Sequence, residues 1–176
     1  VNPVTGGESH SAGDVVFDTS ATMWVCVAAG TPGTWRKVAS QSTAGAFHAI
    51  TPARVFDSRK PMAAKIVTGD SWTISVANRI DRNTGAIVQA DLVPIGATAV
   101  AYNLTIVNTT GTNGYLAVNE GGNNAVSASA INWYGSGQTA ANGSVVKVNG
   151  TRQVTVICGG TATSTHFIVD VVGYYR

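Results

Sequence analysis

Charge is scarce in this chain. Its 176 residues carry 11 Lys plus Arg and 9 Asp plus Glu, or 11% charged, against roughly 25% in an ordinary soluble protein. Leucine occurs only at Leu92, Leu104 and Leu116, and glutamate only at Glu8 and Glu120. Helix surfaces are built largely from Leu, Glu, Lys and Arg, so a helical bundle is excluded and a doubly wound α/β enzyme nearly so. No apolar run approaches bilayer length and no signal-peptide pattern is present, so membrane insertion is not expected. The formal charge of +2 is scattered, without the basic stripe that neutralises a run of phosphates, so nucleic-acid binding is not expected either. The first residue is Val1, which fits an exported, processed or truncated chain alike.

Cysteine is nearly absent too. Cys26 and Cys158 lie in apolar strand-like runs, WVCV and VTVIC, and neither belongs to a CxxC pair. Three readings stay open for them: small buried hydrophobes, a disulfide made in an oxidising compartment, or a catalytic thiol. Two cysteines do not make a zinc site. His10 and His48 have no second ligand at metal spacing, so neither metal nor cofactor is expected.

What the chain does have is valine, isoleucine and threonine, together nearly a third of it, with 20 glycines. These residues fit pleated, half-buried surfaces joined by tight turns. Residues 1–45 read as an extended lead-in, a small β unit over DVVFD, MWVCVA and TWRKV, and the polar linker ASQSTAG. That unit, a hairpin or meander, carries Phe17, Trp24 and Trp35 but is too short to bury a core of its own. Residues 46–176 read as a head of ten strands, near 47–50, 54–57, 65–67, 71–76, 99–107, 114–119, 130–133, 144–148, 153–158 and 165–172. One helical turn is expected at Asp91-Leu92-Val93, before Pro94. Tyr102, Leu104 and Ile106 alternate with polar neighbours, as one-sided burial demands. The expected fold is all-β, an antiparallel β-sandwich or jelly roll.

The stretch TPARVFDSR, residues 51–59, concentrates charge in a charge-poor domain. Strand alternation would put Val55, Asp57 and Arg59 on one side and Arg54, Phe56 and Ser58 on the other. Asp57 is expected to be a structural anchor for Arg54 or Arg59 and for strand-end N–H groups; the competing reading makes an arginine a clamp for a sugar acid or phosphate. His166 and Asp170 share a strand face but stand roughly 13 Å apart by strand rise, and no GxSxG elbow exists. With Glu8 in the lead-in, the paired carboxylates of a glycosidase are also wanting. The inventory points to a non-enzymatic protein. The Asn-Gly pairs at 142–143 and 149–150 read as hairpin turns rather than glycosylation sites. Sugars stack on exposed rings, and the candidates are Trp133, Tyr134 and Tyr115, with Tyr174 and Tyr175. Of the adjacent pair, Trp133 shares a face with Ile131 and is the expected core residue, which leaves Tyr134 outward beside the loop Gly135-Ser136-Gly137.

TPARVFDSR, AVAYNLT (99–105), GYLAV (114–118), AINW (130–133), GQTAAN (137–142) and HFIVDVVGYY (166–175) follow one another over about 130 residues. Together they resemble the "PxRxxDTR … LNVT … GYLTVYP … LNW … GQTxxN … VDVxGYY" module of secreted and cell-surface proteins of actinobacteria, other bacteria and some of their phages. Ser58 stands where Thr is usual, and Val118-Asn119-Glu120 replaces the Tyr-Pro ending. The preceding GDVVFD…MWVC…GTPGTW is similar to "GDxxxD…LWxC…GTPGTW" units of phage tail fibres and other trimeric appendages. The resemblance implies a virion or extracellular structural protein, displayed as a homo-oligomer, with a trimer expected. Its expected partners are further copies of itself, other virion or appendage proteins, and a host cell-wall glycan. The rival readings are a capsid decoration or coat subunit without a ligand, a bacterial cell-wall glycan-binding module, and, most distant, a small hydrolase using Asp57 and His166. No catalytic residues carry over from the family.

Overall fold

A computed structural model describes residues 3–40, 45–61 and 63–176. Of the linker expected at residues 39–45, residues 41–44 lie outside the described residues. Those described form fourteen strands and no helix, and the chain divides into two compact units, 1–44 and 45–176.

The first unit is a three-stranded antiparallel meander, β1 (Val15–Phe17), β2 (Met23–Ala28) and β3 (Thr34–Ala39), in that order. The lead-in is tied to it: His10 bridges Gly30, and Gly13 N–H donates to the Cys26 carbonyl at 2.8 Å. Register separates the two faces. Cys26 opposite Trp35 and Trp24 opposite Lys37 form one face; Val15 opposite Val25 and Phe17 opposite Met23 form the other. The first is the unit's own small core. Trp24 Nε1 donates to Asp18 at 2.9 Å, Trp35 Nε1 donates to the Pro32 carbonyl at 2.8 Å, and His10 meets Trp35 edge-on at 4.8 Å. The second face leaves Phe17 68% exposed.

The second unit is a β-sandwich. One sheet has the order β12-β9-β14-β4: Thr139–Lys147, Ala99–Thr110, Ser164–Tyr175 and Phe47–Asp57, with β5 (Ile66–Val67) added to β14. The other has the order β11-β10-β13-β6: Ile131–Trp133, Gly114–Glu120, Gln153–Gly159 and Ser71–Ser75. A separate hairpin pairs β7 (Arg79–Ile80) with β8 (Ile87–Gln89). Both sheets are antiparallel. Between them Tyr102, Leu104, Ile106, Phe167, Val169 and Val171 of the larger sheet meet Leu116, Trp133, Val154 and Val156 of the smaller, all fully or nearly buried. The alternation read at residues 102, 104 and 106 is thus the inward face of β9.

Four local expectations are corrected. The break expected between Ile50 and Arg54 is absent, because β4 runs through Thr51-Pro52. Pro52 sits on an edge strand where the register slips against Val171–Gly173, so its missing N–H removes no ladder bond. Asn142-Gly143 is no turn: it lies mid-strand in β12, opposite Leu104 and Asn103. The turn is at Asn149, whose Oδ1 accepts from Thr151 and Gln153 N–H at 3.1 and 2.9 Å. Asp91 has φ of 51°, outside the helical region, so no helical turn forms at 91–93. The Val55/Arg54 alternation is also wrong, for a reason that shapes the site below.

Candidate functional site

β4 pairs with β14 as Asp57↔Ile168, Phe56↔Val169 and then Arg54↔Asp170. Val55 is the extra residue of a bulge, which re-aims the strand. Arg54 and Asp57, expected on opposite faces, therefore meet on the same side. Arg54 grips Asp170 with two bonds, Nε to Oδ1 at 3.0 Å and Nη2 to Oδ2 at 3.2 Å, and reaches Asp57 Oδ2 with Nη1 at 3.2 Å. Arg59 closes on Asp57 from the other side with its backbone N–H (3.0 Å), Nε (2.8 Å) and Nη2 (2.7 Å). Asp57 is 1% exposed. Burial opposes its charge, but the hydrogen bonds and positive charge of Arg59, with Arg54 behind, outweigh that and hold its carboxyl below the ordinary range. Arg59 is pushed up by the same pairing. The result is a four-residue chain, Arg59–Asp57–Arg54–Asp170, in which every member is spoken for. The sequence pointed to the first three; Asp170, 116 residues from Arg54, it did not.

Beside this chain Ser58 Oγ lies 3.2 Å from His166 Nδ1, the pair a hydrolase would need. Its members are engaged elsewhere. Ser58 is 1% exposed, and its oxygen already accepts the Phe167 N–H at 2.9 Å; Asp170, on the His166 face, is committed to Arg54. Burial, then the nearby Lys65 charge, lowers the His166 pKa despite a hydrogen bond to the Ala64 backbone. Ser58 and His166 pin β14 to the end of β4. Among the described residues no cluster of three His, Cys, Asp or Glu could hold a metal ion.

The aromatic candidates separate sharply. Trp133 is 1% exposed in the sandwich core, its Nε1 donating to the Thr110 carbonyl at 3.1 Å. It lies in the core on the face it shares with Ile131, as the alternation implied, and its indole fills the space over Gly114; a ligand cannot reach it there. Tyr115 is half-buried and lies across Gly159 of the neighbouring strand, so its ring is spent on the sheet. Tyr134 is 73% exposed, and its backbone N–H is fixed by Gln138 Oε1 at 3.1 Å. Of the three readings open for Cys26 and Cys158, the structure fits the buried small hydrophobe. Both are buried free thiols, each enclosed in its own unit. Cys26 Sγ donates to the Ala28 carbonyl at 3.1 Å, and burial pushes the Cys158 thiol up to about 11, which leaves it inert as a nucleophile.

The sequence reading passed over the concave part of the head. Two adjoining hollows, about 410 and about 480 Å³, lie between β4 and the β7–β8 hairpin and share Pro52, Ala53 and Arg79. Arg54 and Arg82 line the first; Leu92 and Tyr174 line the second. The hairpin is held by Asp81, whose Oδ1 accepts from Asn83 N–H, Thr84 N–H and Thr84 Oγ1 at 2.9–3.0 Å. Two arginines three apart in NRIDRN, in a chain this poor in charge, were the available signal.

Compared with known proteins, the chain matches no family model and no curated protein.

Proposed function

We propose that this chain is a non-enzymatic structural and adhesive module of a phage or bacterial surface appendage, on a virion or outside the cell, in which the N-terminal meander assembles copies of the chain and the sandwich head is displayed. The observation that carries the reading is the exposed apolar face of the meander. A sheet face bearing Val15 and Phe17, at 50% and 68% exposure, in a unit with little chain to cover it, is what self-association would bury. Three copies are proposed, on the resemblance to trimeric appendages. On the head, Tyr134 supports an adhesive role toward a cell-wall glycan, as an outward ring beside an open glycine loop.

Size exclusion with light scattering tests the assembly. A mass of three chains is expected, and a folded monomer at about micromolar concentration overturns it. Binding of intact cell walls tests adhesion. Tyr134→Ala should weaken attachment about tenfold, a loss of about 1.4 kcal/mol. Unchanged attachment would shift the reading to a coat or decoration subunit without a ligand.

A further inference from the structure

We propose that the cleft between β4 and the β7–β8 hairpin binds the anionic group of an acidic saccharide, a carboxylate or a phosphate, through Arg79 and Arg82. The inference rests on the adhesive reading of the head and names its ligand class. Three arginines line the first hollow, and they are not equivalent. Arg54 is held by two carboxylates, Asp170 and Asp57, so it contributes a fixed wall and little free charge. Arg79 and Arg82 make no ion pair among the described residues. The one carboxylate of the hairpin, Asp81, spends its Oδ1 on the turn that shapes the loop. Asp81 also lines this hollow and feels the charge of Arg79, but it forms no ion pair with either arginine; both guanidinium forks keep their donors for carboxylate or phosphate oxygens, which they match in paired bonds.

The rest of the cleft suits a sugar. Its lining is mainly polar, with Pro52 in both hollows and Leu92 and Tyr174 in the second as apolar surface for a sugar ring. The hollows are open, and each falls within the roughly 300–1,000 Å³ of ligand clefts. The arginine-bearing hairpin is braced as well: the Asp81 turn is closed by Gly85 N–H donating to the Asp81 carbonyl at 2.9 Å, and Gly85 sits against Lys60 and Pro61. A braced rim lowers the ordering cost of binding.

The test is calorimetric titration of the full chain with three probes: oligogalacturonate for the carboxylate, oligomeric glycerol phosphate for the phosphate, and neutral cello-oligosaccharide. One acidic probe is expected to bind, more weakly as salt rises from about 0.05 to about 0.5 M, and about tenfold or more weaker in the Arg79→Ala/Arg82→Ala double variant. Arg82→Gln alone, at an exposed position, should give a smaller loss, and melting temperatures read alongside separate a folding failure from a binding one. Equal binding of the neutral probe, no binding of either acidic probe, or parent-like binding by the double variant overturns the inference. Cell-wall attachment that survives the double variant but is lost in Tyr134→Ala overturns the cleft while leaving the adhesive reading in place.

Discussion

Asp57 accepts four hydrogen bonds from two arginines at a position closed to solvent. Removing the carboxylate strands the Arg59 guanidinium and leaves Arg54 with Asp170 alone. Asp57→Ala should destabilise the head by about 2–4 kcal/mol, read as a shifted urea midpoint with an unchanged slope. The pH dependence has a definite sign. A carboxyl whose folded pKa lies below its unfolded value near 3.9 contributes stability that is fully present above that value and lost as pH falls through the folded one. Parent stability should therefore drop below about pH 4, and Asp57→Ala should flatten part of that drop; a variant with the parent's full acid dependence would assign it elsewhere. Charge scarcity made Asp57 legible in the sequence, since a lone acid between two arginines has few other uses in an apolar domain. Its geometry was not legible. Simple alternation separates Arg54 from Asp57, and only the bulge at Val55, imposed by pairing with a strand more than a hundred residues away, brings them together.

At the level of elements, legibility followed burial. β9 announces itself because one face is packed and the pattern is enforced, and β13 because it is buried along nearly its whole length and reads as an apolar run. β12 does not, because eight of its nine residues are exposed and an edge strand needs only backbone pairing to β9; without a buried face there is no period to read, and Asn142-Gly143 imitates a turn. The β7–β8 hairpin is hidden for a related reason, its strands being two and three residues long. Where elements pack tightly, small residues carry the information. A Cβ at Gly114 would enter the Trp133 indole ring across the β10–β11 pair, and that ring is walled in by the core. Gly114→Ala should therefore cost about 1–3 kcal/mol by overpacking. Thermal melts of Gly114→Ala, with Gly135→Ala as the control at a roomy loop position, check this; equal melting temperatures would show that β11 yields freely.

For the whole molecule, the open question is what covers the N-terminal face, and the two faces of the meander make it answerable. Trp24 and Trp35 lie on the inner face, with their indole N–H groups bonded inside the unit, so the sequence-based expectation that both needed a partner is narrowed to the opposite face. There Phe17 and Val15 stand exposed, and each large side chain buried stabilises by about 1.5–3 kcal/mol. In the proposed trimer that burial would recur on each chain, against the cost of association, and a single substitution on the face should undo it. Phe17→Asp would place a carboxylate in the apolar contact, where desolvation without a partner is costly. The expected outcome is a shift from trimer to monomer mass in light scattering, while tryptophan fluorescence stays that of the parent because Trp24 and Trp35 face away from the change. Loss of the fluorescence signature together with the mass shift would mean that the meander folds only when assembled. A trimer that survives Phe17→Asp would move the assembly contact off this face altogether.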